Sequence, residues 1–167
     1  MSDRPDRSSP ITTAIELNLG TLEATRALGR NLAGRLRIGD IVRLEGDLGA
    51  GKSELARAII QARSGAAIEV PSPTFTLVQP YVFVDLTILH ADLYRLGTAE
   101  EIFELGIIEA LDDSCLLVEW PDQAADLLPE TGLRIILSHG TGLSRHARIE
   151  ALDRSWLDRM PSQPGES

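Results

Sequence analysis

IVRLEGDLGAGKSELARAII, residues 41–60, is the stretch whose reading decides the fold. Ile41, Val42 and Leu44 open it as a short strand, and Leu55, Ala58, Ile59 and Ala62 continue it as a helix with one apolar face. Between them, Gly46, Gly51, Lys52 and Ser53 satisfy G-x-x-x-x-G-K-[ST], the phosphate-binding P-loop. Glycines let the backbone turn its N–H groups around an anion, and the helix start aims further unsatisfied N–H groups at the same point. The candidate nucleotide-binding residues are therefore Asp47, Leu48, Gly49, Ala50, Gly51, Lys52, Ser53 and Glu54. Lys52 is expected to meet the β- and γ-phosphates of ATP or ADP, and the Ser53 hydroxyl to coordinate Mg²⁺. At average residue usage the pattern arises by chance roughly once in two hundred chains of this length. Lys52 is also the only lysine among 16 basic residues. A chain this rich in arginine has kept one point-like ammonium where a planar fork would not serve.

Composition bounds the rest. A chain of 167 residues with 43% hydrophobic content suits one domain with a real core, and only 4% aromatics makes that core aliphatic. A net charge of −9 argues against this chain wrapping nucleic acid or an anionic membrane by itself. The lone Cys115 fits a reducing compartment and sits in an apolar run, as a small core residue does. No apolar run approaches the roughly 20 residues of a membrane span, and the first residues lack a signal peptide's apolar core. A cytoplasmic protein is expected. Residues 1–10 and 161–167 read as disordered tails around one domain at 11–160.

Ala14 to Leu19 alternates as a half-buried strand, and Thr21 caps a helix predicted to reach about Leu36. Leu77–Asp85 and Leu86–Leu93 read as neighbouring strands, and Thr98-Ala99-Glu100-Glu101 as a capping box opening a short helix that Gly106 ends. Cys115-Leu116-Leu117-Val118-Glu119 is continuously apolar until its final acid, the pattern of a parallel strand covered on both faces. Pro121 suits the first turn of a following helix. Leu133–Ser138 and Arg145–Ala151 read as a hairpin across a glycine-rich turn, and a short helix near Arg154–Met160 closes the chain.

Four further positions are candidates for chemistry. Glu119 stands where a Walker B acid holds Mg²⁺ directly or through water. Asp92, at the end of another strand, could serve a metal or polarise a water, or merely end that strand. Thr74 lies in VPSPTFT, residues 70–76, where two prolines stiffen an extended loop that either folds over the P-loop or simply connects. Trp120 could pack as core or lie against a base. His90 reads as a hydrogen-bonded structural residue.

Guanine recognition through Asn-Lys-x-Asp is impossible with the one lysine already spent, and Asp-x-x-Gly is absent, so adenine is the better fit. Clustered lid arginines of a small-molecule kinase are not visible between the P-loop and Glu119. GDLGAGKS followed by SPTFTLV, HADLYRL, ELGI and VEWP resembles the TsaE family of bacterial ATPases in tRNA threonylcarbamoyladenosine biosynthesis. The resemblance runs from about Ile15 to Leu152; Ser53 stands in place of a more usual threonine and Asp122 in place of a more usual glutamate.

The resemblance implies a single α/β P-loop NTPase domain with a mixed parallel and antiparallel sheet flanked by helices. It implies weak Mg²⁺-dependent ATP hydrolysis, assembly with the TsaB and TsaD proteins, and contact with tRNA only through that complex. It further implies that Ser53 and Glu119 hold Mg²⁺, Asp92 takes part in hydrolysis, Thr74 acts in a switch-like loop and Trp120 lies near the nucleotide. A small P-loop kinase, or a nucleotide-gated binding module without catalysis, would share the same site.

Overall fold

A computed structural model of the chain describes residues 13–73 and 76–161. Thr74 and the tails expected to be disordered lie outside the described residues, except Pro161. A single seven-stranded sheet organises them. In chain order the strands are β1 (Thr13–Leu19), β2 (Ile41–Glu45), β3 (Val78–Val82), β4 (Thr87–Asp92), β5 (Ser114–Glu119), β6 (Leu133–His139) and β7 (Arg145–Ala151). The helices are α1 (Leu22–Ala33), α2 (Lys52–Ser64), α3 (Ala99–Glu104), α4 (Ile107–Ala110) and α5 (Arg154–Leu157). The spatial order β1-β7-β6-β2-β5-β4-β3 puts the P-loop strand at the centre. Pairs β2–β5, β2–β6 and β4–β5 are parallel, while β1–β7, β6–β7 and β3–β4 are antiparallel. The expected α/β domain with a mixed sheet is what forms.

The apolar run of β5 explains its place. Every residue from Ser114 to Glu119 is buried. Cys115 and Leu117 face α1 and α2, joining Leu32, Leu55 and Ile59, whereas Leu116 and Val118 face Ile102 and Ile107 of the short helices. Two cores on opposite faces are the natural outcome of helices crossing over a parallel sheet. Helices α1 and α2 approach closely because Gly29 has no side chain: a Cβ there would stand 2.5 Å from that of Ala58.

Four local readings need correction. Helix α1 ends at Ala33, short of Leu36, because the chain turns toward Asp40, whose carboxylate accepts the N–H of Arg37 at 2.7 Å. The first hairpin strand is only Val78–Val82, since the turn begins at Phe83, whose N–H bonds to the Leu86 carbonyl. Thr98 does precede α3, but its side chain makes no capping bond. Pro121 opens one 3-10 turn, Pro121–Ala124, where a helix was expected.

Candidate functional site

The P-loop runs from the carboxyl end of β2 to the start of α2, where strand order lets the chain open a crevice. Gly46, Gly49 and Gly51 all adopt positive φ, at 138°, 79° and 107°. Gly46 is needed for packing: a Cβ would lie 2.2 Å from the Leu137 carbonyl oxygen. Gly49 and Gly51 differ, for nothing lies within 4 Å of where their Cβ atoms would be. The open space beside them is the hollow that an anion would occupy against the loop's N–H groups.

Lys52 opens α2 and is buried. Its Nζ donates to the carbonyls of Gly46 at 2.6 Å and Asp47 at 2.8 Å, and lies 4.2 Å from the centroid of the Trp120 ring. Burial pulls its pKa down, opposed by the charges of Glu119, Asp92 and Asp47. Trp120 takes a left-handed φ of 57°, which turns the chain sharply after β5, and its ring stands 4.8 Å from that of Tyr94. A non-glycine residue held in that region is strained and marks a place the surrounding structure over-determines.

Parallel pairing sets the two acids side by side, with Asp92 of β4 opposite Glu119 of β5. The Ser53 hydroxyl donates to Glu119 Oε1 at 2.7 Å, and His90 Nε2 lies 2.7 Å from Glu119 Oε2. Asp92 Oδ1 accepts the N–H of Tyr94 at 3.0 Å. Burial holds the Asp92 carboxyl above the usual carboxylate range; the Tyr94 N–H opposes this and the charge of Glu119 adds to it. Among the described residues no group of three or more His, Cys, Asp or Glu could hold a metal unaided. The Ser53 and Glu119 oxygens are hard donors of the kind that share Mg²⁺ with nucleotide phosphates and water, so these residues fit that ion.

Lys52, Ser53, Asp92, Glu119 and Trp120 thus meet in one cleft of about 570 Å³. Leu48, Gly49, Gly51 and Glu54 also line it; Asp47 contributes its carbonyl to Lys52, and Ala50 is wholly buried beneath the loop. Sequence reasoning missed Arg57 and Arg95, which enter the same cleft from α2 and from the segment after β4. The Arg57 guanidinium bonds the Val70 carbonyl at 3.2 Å and Glu54 at 2.7 Å, tethering the start of the VPSPTFT segment. Of that segment's described residues, Ser72 borders the cleft.

A second hollow of about 530 Å³ flanks the P-loop between Leu19, Thr21 and Leu22 on one side and Leu143 and Arg145 on the other. The sequence predicts a hairpin there, across a glycine-rich turn, and not a hollow. A larger groove of about 790 Å³ between α1 and α2 is floored by alanines and carries neither the glycine loop nor the acids.

This chain matches the family model for threonylcarbamoyl adenosine biosynthesis protein TsaE over residues 19–147. It belongs to the TsaE family. A TsaE of Rickettsia felis is 46% identical over 112 residues, 67% of this chain and 66% of the relative. A TsaE of Streptomyces coelicolor is 37% identical over 138 residues, 78% of this chain and 93% of the relative. Both carry the name tRNA threonylcarbamoyladenosine biosynthesis protein TsaE. The match to the Rickettsia felis protein spans just under two thirds of that relative's length. The crystal structure of Bacillus subtilis YdiB superposes with a TM-score of 0.71 at 25% identity, covering 90% of this chain and 94% of that one. The TsaE match contains the P-loop, both acids and Trp120. No helix among the described residues is long and apolar enough to cross a membrane.

Proposed function

We propose that this TsaE-family chain is an ATPase of tRNA N6-threonylcarbamoyladenosine biosynthesis, slow alone and activated by TsaB and TsaD in the cytoplasm. The observation that carries the reading is the convergence of the glycine hollow, the single lysine and the Ser53–Glu119 contact in one cleft. Phosphates lie against the N–H groups of Gly49 to Ser53, and Lys52 leaves the Gly46 and Asp47 carbonyls to meet them. The nucleoside end occupies the hollow bounded by Thr21, Leu22, Leu143 and Arg145. Ser53 and Glu119 would hold Mg²⁺ together with the nucleotide, and the ion would supply positive charge to the β- and γ-phosphoryl oxygens.

Asp92 orients the attacking water. Both oxygens of Glu119 are engaged, by Ser53 and His90, whereas Asp92 has only Oδ1 bonded, to Tyr94, among the described residues. Its burial, which raises the proton affinity of the carboxylate, suits a group that takes a proton from the attacking water. Water adds to the γ-phosphorus, the bond to the β–γ bridging oxygen breaks, and ADP and phosphate leave. Thr74 acts in a switch-like loop, whose start Arg57 holds through the Val70 carbonyl. The tRNA is bound by the partners, in keeping with the net charge of −9 on this chain.

Phosphate release with and without the TsaB–TsaD pair tests the proposal. A rate that rises at least about tenfold with the pair, and is lost in Asp92→Ala while ATP still binds, is expected. An unchanged rate with the pair, or normal turnover by Asp92→Ala, contradicts it.

A further inference from the structure

His90 is buried in β4, two residues before Asp92 on the same face of the strand. Its Nε2 reaches Glu119 Oε2 at 2.7 Å, and its Nδ1 is buried with no hydrogen-bond partner among the described residues. A histidine serving only as core would be better replaced by an aliphatic residue, since a buried ring nitrogen without a partner costs stability. What the ring gains is one contact. A carboxylate only accepts hydrogen bonds, so Nε2 carries the proton and donates it to Oε2.

The consequence falls on Glu119. With Oε2 tied to His90 and Oε1 facing Ser53, the carboxylate cannot rotate and cannot present both oxygens together. We propose that His90 is a positioning residue that fixes Glu119 through Nε2 so that only Oε1 is offered toward Ser53 and the nucleotide's Mg²⁺. This rests on the reading of Ser53 and Glu119 as the magnesium-binding pair. Second-sphere hydrogen bonds of this kind commonly govern metal affinity by 10- to 100-fold. The effect runs through Nε2 alone, because Nδ1 has no hydrogen-bond partner among the described residues.

The ring's asymmetry supplies the test. A glutamine amide nitrogen reaches about as far from Cα as the histidine Nε2, whereas an asparagine nitrogen falls at the Nδ1 position. The affinity of a non-hydrolysable ATP analogue is measured by calorimetry in MgCl₂ and in EDTA for the parent chain, His90→Gln, His90→Asn and His90→Phe, with circular dichroism on each. The parent should bind at least about tenfold more tightly with Mg²⁺. His90→Asn and His90→Phe should keep the EDTA affinity and lose most of the Mg²⁺ increment, while His90→Gln retains it to within about threefold. Should His90→Phe fail to fold, the Asn and Gln variants decide. Retention of the full increment by His90→Asn, or its equal loss in His90→Gln, overturns the proposal. A parent chain indifferent to Mg²⁺ is a different failure: it removes the magnesium reading of Ser53 and Glu119, and the inference falls with it.

Discussion

Lys52 is where the chain spends its only ammonium, and burial already penalises the charge it carries there. Lys52→Ala should weaken ATP binding by about 30- to 100-fold, the worth of roughly 2–3 kcal/mol for a charge-assisted phosphate contact, measured by calorimetric titration. Asp92 makes the same point with opposite charge. Its carboxyl is raised above the ordinary value of 3.8, so the folded chain holds that proton more tightly than the unfolded chain. Ionising it therefore costs stability: the penalty is absent below the unfolded value, grows as pH rises through the folded one and is complete above it. Asp92→Asn should raise the ligand-free Tm at neutral pH by about 1–4 °C. That gain should shrink as pH falls toward the unfolded value, while phosphate release is lost; thermal melts across pH check it. A variant that melts lower than the parent at neutral pH would contradict this account of Asp92.

At the scale of elements, the P-loop glycines divide by what surrounds them. Gly46→Ala drives a Cβ to 2.2 Å from the Leu137 carbonyl at a φ of 138°, and should cost about 3–5 kcal/mol in urea denaturation. Gly49→Ala meets nothing within 4 Å and should cost only about 1–2 kcal/mol, yet it fills the anion hollow and should weaken nucleotide binding. The strand–turn–helix itself was legible in residues 41–60 because its signals are local: apolar residues, glycines and a helical period in one run. The doubly covered β5 was legible for the same reason. The ends of elements were less so. The short α1 depends on Asp40 reaching back to the Arg37 N–H, and the uncapped Thr98 on a side-chain orientation that residue type alone does not fix.

For the whole molecule, strand order is what brings distant residues together, and no local pattern encodes it. The His90–Glu119 contact, 29 residues apart, and the entry of Arg57 and Arg95 into one cleft both follow from β4 lying beside β5 and β5 beside β2. Asp92 and Glu119 could be named from sequence as acids at strand ends; their adjacency could not. A second long tie closes the far end of the sheet. Arg159, after α5, donates to both Asp40 oxygens at 2.7 and 2.8 Å and stacks on the buried Trp156. Removing one partner of such a buried pair strands the other, so Arg159→Met should lower stability by about 3–5 kcal/mol with ATP affinity little changed in what remains folded. Denaturation alongside a binding titration separates the two effects.

The central claim is that the loop from Gly46 to Ser53 holds a nucleotide's phosphates. A crystal structure of the chain with a non-hydrolysable ATP analogue and Mg²⁺ tests it most directly. The account predicts β- and γ-phosphate oxygens within about 3 Å of the loop's N–H groups and of Lys52 Nζ, with that lysine released from the Gly46 and Asp47 carbonyls. Nucleotide bound elsewhere, or a loop left empty at saturating analogue with Lys52 still on those carbonyls, would contradict it.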